Sequence, residues 1–247
     1  VYVEKPLSIT VVEGRQMAYG INPYAVAPAD PASEDALRGV LDGRILDAVN
    51  HPTWTAIYPP ATLLAHMVVT HIDSRIVAMR LFYAAVEVAA QLVLLALLLH
   101  LGVPAVLWLL AWWNPIGPLW FAGEGHNDAL MALGIVAALY LLARGHRRGA
   151  LLGLSLAALV KPFAAVALLP QLRHARWRLW LLPPAAALLA YLPFAIAGAG
   201  LGVVDSLGRF GGEMHFHGAL EPLLRLAWTA TLPGDWVRPA VLGSLIG

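Results

Sequence analysis

From Pro59 onward the chain is a succession of apolar stretches, most of them close to the length that crosses a bilayer, and several are broken by proline. A spanning helix needs about 20 apolar residues, with a range of about 17–25. The candidates are 60–73, 79–101, 104–122, 128–143, 150–172 and 179–199, with a weaker stretch at 218–232 and another beginning near 237. Asn114-Pro115 interrupts the third, Lys161-Pro162 the fifth, and Pro183, Pro184 and Pro193 the sixth. In hydrocarbon a broken backbone survives only where protein or a water-filled cavity covers the break. Breaks on both sides of 128–143 therefore predict a cavity near that helix. The composition agrees: 60% of the chain is hydrophobic and 13% charged, against about 25% charged in soluble domains. The expected fold is all-α: a polytopic membrane protein with broken or re-entrant helices.

Residues 1–58 are not membrane-like and form a separate region, with 59–247 as the multi-spanning part. The first region holds charges, turn formers and the Pro-rich "NPYAVAPADPASEDALRG". Short amphipathic helices at a membrane surface are expected there. In 33–49, Leu37, Val40, Leu41, Ile45 and Leu46 fall near helical spacing, with Ser33 as N-cap. Arginine-rich "RGHRRG" (144–149) and "RHARWR" (173–178), with Arg75 and Arg80, mark the cytoplasmic side. Both ends of 150–172 are then inside, so it dips and returns at Lys161-Pro162, and 104–122 folds back at Asn114-Pro115. That puts 1–58 and Glu124–Asp128 together on the extracytoplasmic side. The chain begins at Val1 and stops within the apolar "VLGSLIG", so it reads as truncated at both ends.

A net charge of +1 and the lack of a long basic tract offer nucleic acid no partner. With no cysteine, disulfides, thiol catalysis and cysteine-ligated metals are excluded. Lysine occurs only at Lys5 and Lys161 in a chain that otherwise uses arginine, a bias typical of GC-rich bacterial genomes.

Five places carry polar groups out of keeping with their surroundings. "EGHND" (124–128) stands just before a greasy helix. Asp128 there suits the positive end of the helix dipole and Asn127 suits a cap; alternatively His126 and Asp128 touch substrate, as ionisable groups at membrane depth commonly do. Lys161 lies in an apolar run before a proline. It either snorkels to a headgroup or meets a phosphate or carboxylate. Glu13-Gly14-Arg15 pairs a carboxylate with a guanidinium beside a flexible residue, which is a surface ion pair or a base beside a phosphate clamp. Trp54 and Tyr58 precede the first apolar helix, as an interfacial aromatic belt would. His215-x-His217 lacks a third ligand at metal spacing. It reads with Arg209 and Glu213 as the polar lining of a pocket, with neither metal nor cofactor.

The order of these motifs is more informative than any one of them. Along the chain come Glu13-Gly14-Arg15 with Gly20, Asn22, Pro23 and Tyr24, then Asn50-His51-Pro52 with Tyr58-Pro59-Pro60. Asn114-Pro115, Gly125-His126-Asn127-Asp128, Lys161-Pro162-Phe163, Pro193-Phe194 and Phe216-His217-Gly218 follow. This series resembles the bacterial polyprenol-phosphate-mannose-dependent mannosyltransferases of the glycosyltransferase C superfamily, in the branch of glycosyltransferase family 87 and its relatives. The chain departs from that pattern at Val12 (usually Trp), Glu13 (usually Asp) and His217 (usually Asn). An acidic residue that the family often carries after its first membrane helix has only Glu4 as a counterpart here, so Glu4 and Glu13 both stand as candidates for the base.

The resemblance implies a plasma-membrane hexosyltransferase. A polyprenyl-phosphate-linked sugar, mannose by the family pattern, would pass with inversion to a hydroxyl of a lipid or glycan acceptor on the extracytoplasmic side. Glu13 and Asp128 would be catalytic. Arg15, Lys161 and His126 would hold the donor phosphate, and Asn22, Tyr24, His51, Tyr58, Asn127, Arg209 and His217 would line the substrate site. A multi-spanning transporter or lipid flippase also uses broken helices and intramembrane charge, but the inverted repeats common in that class are not evident.

Overall fold

The computed structural model describes residues 5–173 and 175–199, together with 202, 204–206, 208, 226–230 and 233. The chain divides into two units, Val1–Ser206 and Leu207–Gly247. In the second, 226–229 is helical and Leu226 is exposed. The first is all-α among its described residues.

The N-terminal region begins with α1 (Lys5–Ala18), which lies against α4 (Pro60–Ile72). Gly14 permits the close approach, because a Cβ there would stand 2.6 Å from the His66 carbonyl oxygen and 2.9 Å from Thr70 Oγ1. The helix expected over 33–49 is in fact two, α2 (Pro31–Leu37) and α3 (Gly43–Asp47). Aspartates cap both: Asp30 accepts from Ala32 N and Asp42 from Arg44 N. Asp42-Gly43 thus starts a new helix where a single one would have to continue. Ser33 is no cap; it is buried and accepts a hydrogen bond from Gln16 Nε2 at 2.9 Å. Most of the apolar face holds even so: Leu37 and Leu41 are buried and Ile45 and Leu46 pack beside them in one cluster with Leu7, Val11 and Val12 of α1, while Val40, in the turn between the two helices, is exposed.

Two helical stretches are long and apolar enough to cross a membrane: α5 (Ile76–His100), and Trp177–Gly198, which contains α10 (Leu182–Phe194). A third is bent. The π-type turn Gly117–Gly123 meets α7 (Asp128–Ala143) at 119°, the geometry of a broken span or re-entrant loop. Ahead of it, 104–122 is no continuous span. A 3-10 turn (Ala105–Leu107) and α6 (Trp108–Trp112) end at Asn114, whose Oδ1 accepts from Ile116 N across Pro115. The chain breaks at Asn114-Pro115 as expected, and a further bend follows between Gly123 and Asp128, where Gly125 takes a left-handed φ of +67°. A Cβ at Gly125 would collide with Leu7, so a contact from α1 helps set this bend.

Antiparallel to α7 runs α8 (Arg147–Ala158), joined through Gly145 at φ +78°. His146 N bonds to Leu141 O and Gly145 N to Leu142 O, the Schellman termination that favours glycine. A Cβ on Gly134 would stand 3.0 Å from Ala157 Cβ, and one on Gly153 3.4 Å from Ala138 Cβ, the small-residue packing by which helices associate in lipid. Pro162 has no N–H and stops α8, as the sequence predicts. A 3-10 turn (Pro162–Ala167) and α9 (Leu168–Arg173) follow.

Candidate active site

The stop at Lys161 builds the site. A terminated helix leaves carbonyls without partners, just as a starting helix leaves N–H groups. Here the two ends meet: Ala61 N of α4 donates to Leu159 O at 3.2 Å, and Thr62 Oγ1 donates to Val160 O at 3.3 Å. Asn127 Nδ2 in turn donates to Thr62 Oγ1 at 3.2 Å, with Asn127 buried at 3% exposure. So Asn127 does not cap α7 with its side chain; it ties the start of α7 to the starts of α4 and the end of α8. The next residue, Asp128, then faces the next residue after Val160, Lys161.

Lys161 Nζ lies 3.0 Å from Asp128 Oδ2, and His126 Nδ1 lies 3.8 Å from the same oxygen. The His126 ring stands 5.1 Å from that of Trp120. About 30% of the Asp128 side chain and 26% of the Lys161 side chain are exposed, so this charge pair is reachable from outside the protein.

Within electrostatic reach of it lies a buried cluster of polar groups. Glu13, in α1 and outside the spanning stretches, is 3% exposed, and its Oε2 has no hydrogen-bond partner. Burial pushes its carboxyl up to about 8, so at neutral pH it is mainly protonated. Tyr58 feels the charge of both acids. Its phenol is pushed up to about 12, by burial first and then by the charges of Glu13 and Asp128. The Tyr58 ring is edge-on to His66, and His66 Nε2 is 2.7 Å from the Tyr83 hydroxyl.

The remaining predicted residues are distributed as follows. Arg15 is not brought to the Asp128–Lys161 pair: its Nη1 donates to Thr70 O at 2.8 Å, near the other end of α4, and its guanidinium covers the Tyr19 ring. Asn22 donates to Phe194 O, the last carbonyl of α10, and to Ala197 O in the turn that follows. Tyr24 packs edge-on against Phe194 and donates from its hydroxyl to Tyr58 O at 2.5 Å. The "INPY" stretch therefore clamps the end of α10 to the strand of chain leading into α4. His51 sits on an exposed loop, left-handed at φ 51°, and stacks on Trp54. Arg209 and His217 lie outside the described residues, as does Glu4.

Sequence reading missed Thr62, His66 and Tyr83. All three are fully or almost fully buried polar groups in apolar helices. The signal that could have found them is the one used for Lys161: a hydrogen-bonding side chain in an apolar run needs a partner. Glu87 of α5 was missed in the same way; its carboxylate lies so close to Gly117 that a Cβ there would collide with it. No group of three or more metal-ligating side chains occurs among the described residues.

Comparison with known proteins places the chain. No curated protein and no solved structure gives a significant match. Residues 11–174, which contain α1 from Val11 onward, all of the elements through α9, and Glu13, Asp128 and Lys161, match the family described as alpha-(1->6)-mannopyranosyltransferase, N-terminal domain. That stretch is well over half of the 247 residues, and the chain belongs to this mannosyltransferase family.

Proposed function

We propose that the protein transfers a mannosyl residue from a polyprenyl-phosphate donor to a hydroxyl of a lipid or glycan acceptor, with inversion, at the extracytoplasmic face of a bacterial plasma membrane. The observation that carries the reading is the partly exposed Asp128–Lys161 pair, held at one helix end by the Asn127–Thr62–Val160 chain of hydrogen bonds. Family membership supplies mannose and glycosyl transfer; the donor and the membrane face come from the motif order and the arginine distribution.

In the reaction the acceptor oxygen attacks the anomeric carbon. The new C–O bond forms as the bond to the phosphate oxygen breaks, and polyprenyl phosphate leaves with that electron pair. The acceptor proton must go to an ionised base. Asp128 fits that role better than Glu13, because Glu13 is buried and mainly protonated at neutral pH. As Asp128 takes the proton its charge is lost, which frees the Lys161 ammonium for the departing phosphate. His126 lies beside the same carboxylate and is placed to orient the acceptor. Glu13 then acts through Tyr58. Asn22 and Tyr24 act by holding α10, and Arg209, His217 and His51 remain proposed contacts to substrate. Arg15, spent on Thr70, supports α4 rather than the phosphate.

The test uses membranes containing the protein and radiolabelled polyprenyl-phosphate-mannose. Asp128→Asn and Lys161→Ala should each lose about 100-fold or more of label transfer, the usual scale for general-base and charge-stabilising groups. Wild-type rates in Asp128→Asn would overturn its role as base. No transfer by the unmodified protein from this donor would overturn the donor assignment.

A further inference from the structure

At the far end of α7 from Asp128 lies a second charged feature, and its sign is uniform. Between Ala129 and Val204 the chain has no aspartate or glutamate, while six arginines and Lys161 fall in that stretch. Four of those arginines converge. The turn after α7 and the first turn of α8 contribute His146, Arg147 and Arg148, and the segment after α9 contributes Arg176 and Arg178; together they line one concavity of about 530 Å³. Convergence is built in by packing: Ala175 and Leu179 pack beside Ala150, Leu151 and Leu154 of α8 in one apolar cluster. That contact fixes the 176–178 segment across from the α7–α8 turn. Among the described residues, no carboxylate lines the concavity.

Guanidinium groups brought together in a concavity suit phosphate oxygens in particular. Their neighbours show which phosphate. Trp177 and Trp180, in the same segment, are 70% and 53% exposed, and the Arg178 guanidinium lies over the Trp177 ring. Leu181 beside them is also exposed. Exposed tryptophan next to arginine is the pattern of the headgroup level of a bilayer, whereas a site for a soluble phosphate has no use for an apolar rim.

We propose that this concavity binds the phosphate of an anionic membrane lipid, in the leaflet opposite the one that the Asp128 site faces. The sixteen residues of α7 separate the two sites by about 24 Å at 1.5 Å per residue. The inference rests on α7 crossing the bilayer and not on the mannosyl-transfer reading.

The experiment incubates the detergent-solubilised protein with mixed phosphatidylglycerol and phosphatidylcholine and reads retained lipid by native mass spectrometry. Each arginine near an anionic lipid multiplies affinity about fivefold, so phosphatidylglycerol should be retained at least about tenfold over phosphatidylcholine. The variant carrying Arg147→Gln, Arg148→Gln, Arg176→Gln and Arg178→Gln should retain the two equally and keep the wild-type thermal midpoint. Glycerol phosphate, the free headgroup, should not displace the lipid at millimolar concentration. The unmodified protein supplies a control that needs no variant to fold: its preference should shrink as salt is raised. Equal retention of both lipids by the unmodified protein, or a preference indifferent to salt, overturns the proposal. Displacement by glycerol phosphate at concentrations matching the lipid overturns the lipid assignment in favour of a soluble phosphate.

Discussion

Glu13 and Asp128 share a chemistry and differ in surroundings, and the difference gives each a separate signature. Glu13 is enclosed, and its carboxyl is raised from about 4.5 to about 8 by burial. Between those values the folded protein holds a proton that the unfolded chain releases, so folding stability falls as pH rises from about 4.5 to about 8 and is level on either side. Glu13→Gln keeps the shape and removes the titration. Its melting temperature should match the wild type near about pH 4 and exceed it near about pH 8, by the equivalent of a few kcal/mol on the scale of about 1.4 kcal/mol per unit. A wild type as stable as the variant near pH 8 would mean that the carboxyl is ionised and partnered in solution. At this scale the sequence was partly legible. Glu13, Asp128, Lys161 and Asn127 stood out because polar groups in apolar surroundings need a reason. What could not be read was their pairing, because Lys161 is 33 residues from Asp128 and only the α4–α7–α8 junction brings them together.

At the scale of elements, two crossings depend on missing side chains. Gly14 lets α1 lie on α4, and a methyl there would stand 2.6 Å from backbone oxygen that cannot move aside. Gly14→Ala should therefore destabilise by about 1–3 kcal/mol, the usual cost of overpacking, seen as a lower thermal midpoint. It should also lower transfer activity, because α4 carries Thr62 to Asn127. Gly39→Ala, with open space at its Cβ, is the control and should leave both unchanged. At the α7–α8 crossing, Gly134→Leu should have an effect at least as large as that of Gly14→Ala, since Ala157 and the Gly153 carbonyl already touch the position. The break at Lys161-Pro162 was readable because proline removes a donor within its own helix. The bend between Gly123 and Asp128 was not, because part of its cause is Leu7 of α1 pressing on Gly125. The split of 33–49 into α2 and α3 was also hidden: the apolar spacing runs through both helices, and the two capping aspartates, not the spacing, decide where each begins.

For the whole unit 1–206, the two charged features set an axis. Mixed charge, Asp128 with Lys161, marks the start of α7; uniform positive charge marks its end. If α7 crosses the membrane as the second limb of the bent segment, those ends open to different compartments. The chain has no cysteine, so single cysteines report position without background. Glu124→Cys, beside the Asp128 site, and His146→Cys, in the arginine-lined turn, are both at exposed positions. In intact cells a membrane-impermeant maleimide should label the first readily and the second only after permeabilisation, as positive residues kept on the cytoplasmic side require. The reverse pattern would turn the molecule over and move the proposed transfer to the cytoplasmic face. Labelling of both from one side would make Gly117–Ala143 a re-entrant loop, leaving α5 and Trp177–Gly198 as the crossings. In that case the arginine concavity and the Asp128 site would share one compartment, and the lipid bound at the first would belong to the leaflet that the second faces.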